Sequence, residues 1–116
     1  VLALAGLGPL LRRYPTGFAQ WLCAATFDLA GAAEIALIGP GDVPLMRGLL
    51  AELRRPYRPF LVTAHSHHPG EEPPPVVPLL VGRTMIAGRP TAYVCRNFVC
   101  QQPVTEVEAL RAALAG

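Results

Sequence analysis

A chain of 116 residues is long enough for one ordinary domain with one core. Hydrophobic residues make up 52% of it and charged residues only 16%, against about a quarter charged in an average soluble domain. So little polar material cannot cover a free-standing small domain, and oligomerisation or attachment to a larger protein is expected. The net charge of +2 excludes a nucleic-acid binder of the basic-tract kind, because the ten basic residues, all arginine, are scattered. The chain opens on Val1 rather than Met, which fits the expectation of a fragment. Three cysteines are too few, and an odd count, for a secreted disulfide framework, so a reducing cytoplasm is expected.

The opening run VLALAGLGPLL is apolar but has no basic stretch before it. It is shorter than the roughly 18 residues of a membrane span, so it reads as a buried helix. Residues 1–30 are helical in pattern, with Leu2, Leu4, Leu7, Leu11 and Tyr14 recurring mostly at helical spacing. Pro15 interrupts the pattern, and Thr16 is placed to cap a second helix. In that helix Phe18, Leu22, Ala25 and Leu29 share one face, flanked by Trp21 and Cys23, with Cys23 expected in the core. Two such helices cannot bury their apolar faces alone and need a larger partner.

From Gly31 the character changes. EIALIG (Glu34–Gly39) is strand-like, GPGD makes a turn, and Asp42 is placed to cap a helix carrying Leu45, Met46, Leu49, Leu50 and Leu53. Pro44 is tolerated in the first turn and Pro56 ends the helix. PFLVTA (Pro59–Ala64) is a second strand, making a strand–helix–strand unit long enough for a parallel crossover. HSHHPGEEPPP (His65–Pro75) reads as an exposed loop and VVPLLVGR as a short helical turn. TAYVC (Thr91–Cys95) is a third strand. Thr105 and Glu108 have capping-box spacing, Val104 and Ala109 have staple spacing, and Val107, Leu110 and Leu114 face one way in the last helix. The expected fold class is therefore α/β: a small three-layer unit of about three parallel strands, residues 32–116, preceded by a helical pair, residues 1–31. In such a sheet Gly39–Asp42, His65–His68 and Cys95–Cys100 would share the carboxyl edge where ligands bind.

Each candidate site has a plainer reading beside it. Gly39 and Gly41 precede a helix, as in anion-binding turns, but the full dinucleotide pattern fails at Pro44 and there is no lysine for a phosphate loop. A strand-to-helix turn is the expectation, with no cofactor. His65 and His67 alternate, and with Cys95 and Cys100 they would make a Cys2His2 metal set, yet the spacing matches no short zinc module. A solvated loop is the expectation. Cys95 and Cys100 admit three readings: packing as small apolar groups beneath the last helix, a reversible dithiol bridged across a turn at Arg96–Val99, or metal ligation. Packing is the expectation. No carboxylate pair looks catalytic, since Glu71 and Glu72 are adjacent in a loop and Glu106 and Glu108 begin a helix.

The run GRPTAYVCRNFVCQQPVTEVEAL resembles the C-terminus of the bacterial YyaL and spermatogenesis-associated thioredoxin-domain proteins. RRYPTGFAQWLCAATFDLAGAAEIALIG and LLVGRTMIAGRPTAYVC are similar to the same family in the same order, so the resemblance covers most of the chain. It implies a long parent protein with an N-terminal thioredoxin-like domain. A central α/α toroid, similar to N-acylglucosamine 2-epimerases and six-hairpin glycosidases, would follow. The chain would then be the last helices of the toroid plus a small Rossmann-like appendage. Its partners would be the rest of the parent, or a second copy in isolation, and neither nucleic acid nor membrane. The expected role is a non-catalytic structural or interaction module. The alternatives are a thiol–disulfide partner acting through Cys95 and Cys100, or a part of a carbohydrate-processing enzyme.

Overall fold

The structure, a computed structural model, describes residues 2–67 and 76–116. His68, Glu71 and Glu72 lie outside the described residues. The chain divides into two compact units, Val1–Ala32 and Ala33–Gly116.

The first unit holds α1 (Leu2–Arg13) and α2 (Ala19–Ala30). Pro9 is accommodated inside α1. Thr16 does not cap α2. The chain turns through Gly17 N–H to Tyr14 O and Phe18 N–H to Pro15 O, and Phe18 takes the capping position without a side-chain bond. Neither helix contains a buried residue. Cys23 is exposed, not core.

The second unit is built on β1 (Ala33–Ile38). Its run AEIALI is apolar on both sides, as a central strand requires, and only Glu34 is not buried. The helix α3 (Pro44–Arg54) leads to β2 (Leu61–Ser66), which pairs parallel to β1 from Ala33↔Leu61 to Ile38↔Ser66. The second strand thus starts two residues later than expected and takes in His65. A 3-10 turn at Pro78–Leu80 is followed by β3 (Thr91–Arg96), β4 (Val99–Cys100) and α4 (Val107–Ala115). The sheet order is β2-β1-β3-β4.

The fold is mixed α/β, and the expectation of about three parallel strands is corrected. Only β1 and β2 are parallel, while β3 runs antiparallel to β1 and to β4. A further parallel strand needs a crossover that carries the chain back to the starting edge. Instead β3 begins where β1 and β2 end, with Thr91 opposite Ile38. Gly39 makes this return close: at φ +138° it lies where a Cβ would sit 3.1 Å from Pro90 Cα.

The alternation of β1 sorts the core onto two faces. Ala33, Ile35 and Leu37 join Ala92 and Val94 beneath α3 and α4, packed with Met46, Leu49, Leu53 and Leu110. Each of the fully buried Ile, Leu, Met and Val side chains among them contributes about 1.5–3 kcal/mol. Ala36 and Ile38 face the other way, against Leu80 with Leu79, Met85 and Tyr93. The expected stripes on α3 and α4 therefore do face the sheet. The expected caps are absent: Asp42 and Thr105 cap nothing, and Val43 and Glu106 take those positions without side-chain bonds. Glu108 is held by Arg111 at 2.8 Å instead.

α3 and α4 are tied together by Glu52, which is 4% exposed. Arg111 grips it with two bonds, Nη2 to Oε2 at 2.8 Å and Nε to Oε1 at 3.2 Å. Arg55 and Arg58 approach to 3.6 and 3.7 Å. The Arg111 hydrogen bonds, and then the three positive charges, hold the Glu52 carboxyl below the usual carboxylate range against the opposing effect of burial. A lowered folded value means that the unfolded chain binds the proton more tightly, so this contribution is complete at neutral pH. It is lost as pH falls through the ordinary carboxylate value of about 4.3 and then the folded value. Glu52→Gln should lower the melting temperature at neutral pH, and the gap to wild type should narrow in acid. Thermal melts by circular dichroism over a pH series check this, and a gap independent of pH would contradict it.

Candidate functional site

Asn97 and Phe98 both have positive φ, 48° and 65°. That is the backbone of a two-residue hairpin turn whose twist matches the flanking strands. It aligns Arg96 with Val99 and Cys95 with Cys100. Directly opposed residues point to one face, and Cys95 and Cys100 are joined by a disulfide, their Cα atoms 3.9 Å apart. The pair lies on the face opposite α4, because Cys95 is one residue from Val94, which faces the helices. The expectation of two thiols packed beneath the last helix is thus corrected. Cys95 is 1% exposed, whereas Cys100 lies on the exposed strand β4.

Arg83 completes the site. Its Nη2 donates to Cys95 Sγ at 3.3 Å and to Cys100 Sγ at 3.2 Å. Its guanidinium lies 5.2 Å from the centre of the Tyr93 ring, and the Tyr93 hydroxyl donates to Thr84 O at 2.7 Å. The segment carrying Arg83 is fixed by buried Thr91, whose hydroxyl accepts from Ile86 N–H at 2.9 Å and donates to Arg89 O at 2.8 Å. Among the described residues no carboxylate lies within ion-pair distance of Arg83, and its Nε is buried without a hydrogen-bond partner.

The histidines lie elsewhere. His65 sits in β2, not in a loop, with Nε2 2.8 Å from Gly39 O. Its ring lies 3.8 Å from that of His67, centre to centre. Gly41 is a packing glycine, since a Cβ there would meet the His67 ring at 3.1 Å. Gly39 and Gly41 therefore form a close-packed turn against Pro90 and the imidazoles. The shared carboxyl edge is also corrected. Because β3 is antiparallel, Cys95 stands opposite Glu34 on one side of β1, while His65 stands opposite Leu37 on the other. Strand spacings put these backbones about 14 Å apart, too far for one metal ion. No group of three or more His, Cys, Asp or Glu suited to a metal occurs among the described residues.

Comparison with known proteins gives no match: no family model, no curated protein and no solved structure matches the chain significantly. No helix among the described residues is long and apolar enough to cross a membrane.

Arg83 had no local signal, since its two sulfur partners lie 12 and 17 residues away, and the bond that ties Glu52 to α4 comes from Arg111, 59 residues away. The disulfide had one. Cysteines spaced C-x4-C around a two-residue turn are directly opposed partners, and Arg96-Asn97-Phe98-Val99 is such a turn. Phe98 is an unusual occupant of its left-handed position, and at 98% exposed it packs on nothing that would offset the cost. Phe98→Gly should stabilise the chain by about 0.5–1 kcal/mol, the steric penalty removed less the entropy glycine adds to the unfolded state. A thermal melt with the disulfide intact checks this, and a lowered melting temperature would show that Phe98 makes a stabilising contact.

Proposed function

We propose that this chain is the C-terminal structural and interaction module of a larger cytoplasmic protein of the YyaL and spermatogenesis-associated thioredoxin-domain type, and is not an enzyme by itself. The family reading rests on the sequence resemblance. The observation that carries the interaction role is the state of the helical pair. Neither α1 nor α2 contains a buried residue, and Leu2, Tyr14, Trp21, Leu22, Phe27 and Leu29 are exposed. Helices of 12 residues are marginal in water without a packed apolar face. In the parent, the end of the α/α toroid would supply that face. The Rossmann-like, three-layer arrangement would likewise be reached only in the parent, where a further layer covers the sheet beside exposed Val62 and Val77. Without the parent, the isolated chain should self-associate through α2 at high concentration, and Leu22→Glu with Leu29→Glu should return it to monomer. Sedimentation velocity measures this, and a wild-type chain that stays strictly monomeric would count against the reading.

A second role, thiol–disulfide partner, is favoured by the bonded Cys95–Cys100 pair with one sulfur on an exposed strand. Disulfides in a reducing cytoplasm are usually transient and working ones. The pair should therefore cycle between dithiol and disulfide in the folded chain, read by maleimide mass shift in a Cys23→Ser background. Two thiols that resist alkylation until the fold is melted would sink this role. No observation favours carbohydrate processing: Glu106 and Glu108 are held by Arg89 and Arg111, at 2.6 and 2.8 Å.

A further inference from the structure

We propose that the Cys95–Cys100 disulfide is an electron acceptor with a fixed polarity, in which a partner thiolate attacks Cys100, Cys95 leaves, and Arg83 holds the departing thiolate. This deepens, and rests on, the thiol–disulfide role.

The polarity follows from exposure. Exchange needs a thiolate to approach one sulfur along the sulfur–sulfur axis, and access decides which sulfur is attacked. Cys95 is 1% exposed, within the sheet. Cys100 lies on the last, two-residue strand, at the free edge of the sheet order. Attack at Cys100 forms a bond between the partner's sulfur and Cys100 Sγ and breaks the bond to Cys95. The electron pair leaves with Cys95 as a thiolate.

The driving force lies in Arg83. In the disulfide state its cationic Nη2 meets two neutral sulfurs at 3.2 and 3.3 Å. Neutral sulfur is a weak acceptor. No carboxylate among the described residues balances the charge, and the buried Nε is unpartnered. A thiolate at either sulfur would turn these weak contacts into charge-assisted bonds. Arg83 thus favours the reduced state, and the fixed loop around Thr91 holds it there in advance. It is a positioning and charge-stabilising residue.

The co-reactant is a protein dithiol. Its first thiolate forms the mixed disulfide with Cys100. Its second thiolate then attacks the first partner sulfur and expels Cys100 as a thiolate, again 3.2 Å from Arg83. The partner is oxidised to a disulfide by two electrons, the hairpin pair is reduced by two, and the partner's two protons pass to solvent or to the new thiols.

The test uses the full chain in a Cys23→Ser background, with circular dichroism confirming the fold of each variant. The disulfide is equilibrated with glutathione, and the reduced fraction is read by alkylation and mass. Arg83→Gln should shift the equilibrium toward the disulfide by roughly tenfold, about 30 mV for a two-electron couple. Arg83→Lys, which keeps a charge, should recover part of the shift. With a thiol–disulfide reagent as probe, Cys95→Ser should leave a Cys100 that forms a mixed disulfide quickly, and Cys100→Ser a Cys95 that reacts slowly. If no disulfide forms in oxidising glutathione, the thiol–disulfide role itself fails. If it forms but Arg83→Gln leaves the equilibrium unmoved, or Cys95 is the faster sulfur, that role survives and this inference is overturned.

Discussion

The second unit depends on β1 being buried on both faces. Its odd-numbered residues pack under α3 and α4, and Ala36 and Ile38 pack against Leu80. A strand buried on both faces cannot slip by one residue without driving Glu34 into an apolar layer, so its register is strongly specified. Once β1 is fixed, β2 and β3 are fixed on its two edges. The antiparallel direction of β3 then sets which end of the sheet carries which chemistry. The histidines fall at the end where β1 finishes, and the cysteines at the end where it starts. A parallel β3 would have gathered both sets on one edge.

Charge is used sparingly, and the two arginines that matter most are in opposite states. Arg111 meets a carboxylate with two side-by-side bonds, and Glu52 in turn draws three arginines toward it. Arg96 also has an acceptor, the Leu114 carbonyl at 3.2 Å near the end of α4, where a cation suits the helix dipole. Among the described residues, Arg83 meets the two sulfurs and the Tyr93 ring and no carboxylate. In a chain with so few charges, a cation with no described carboxylate beside it and a buried Nε without a partner is a local cost.

The element types were readable because period and burial agree in them. The AEIALI run and the leucine stripe of α3 carry their own answers, as does the spacing of Val107, Leu110 and Leu114. Strand direction was not readable, because it depends on how the long connection after β2 returns, and no residue of β3 encodes it. The caps misled for a different reason. Asp42, Thr16 and Thr105 have the right chemistry, but each helix is capped one or two residues later, at Val43, Phe18 and Glu106, without a side-chain bond. In the site, the cysteine pairing was within reach, since the two-residue turn and the C-x4-C spacing are both local. Arg83 was not, because 12 and 17 residues separate it from its two sulfur partners.

The hairpin disulfide adds only modestly to the stability of the fold. It closes a loop of only six residues, Cys95 to Cys100, so the chain entropy it removes from the unfolded state is worth about 2 kcal/mol. The region beyond it has its own attachments. Gln101 N–H bonds Val94 O at 2.8 Å, and Ala92 and Val104 exchange bonds of 2.8 and 2.9 Å. Val104 and Leu110 anchor the following segment in the main core. Cys95 contributes to neither of the two core clusters. A bridge that served mainly to staple the fold would be expected to span a long loop or tie separate layers together. This one joins two residues that the hairpin already holds face to face.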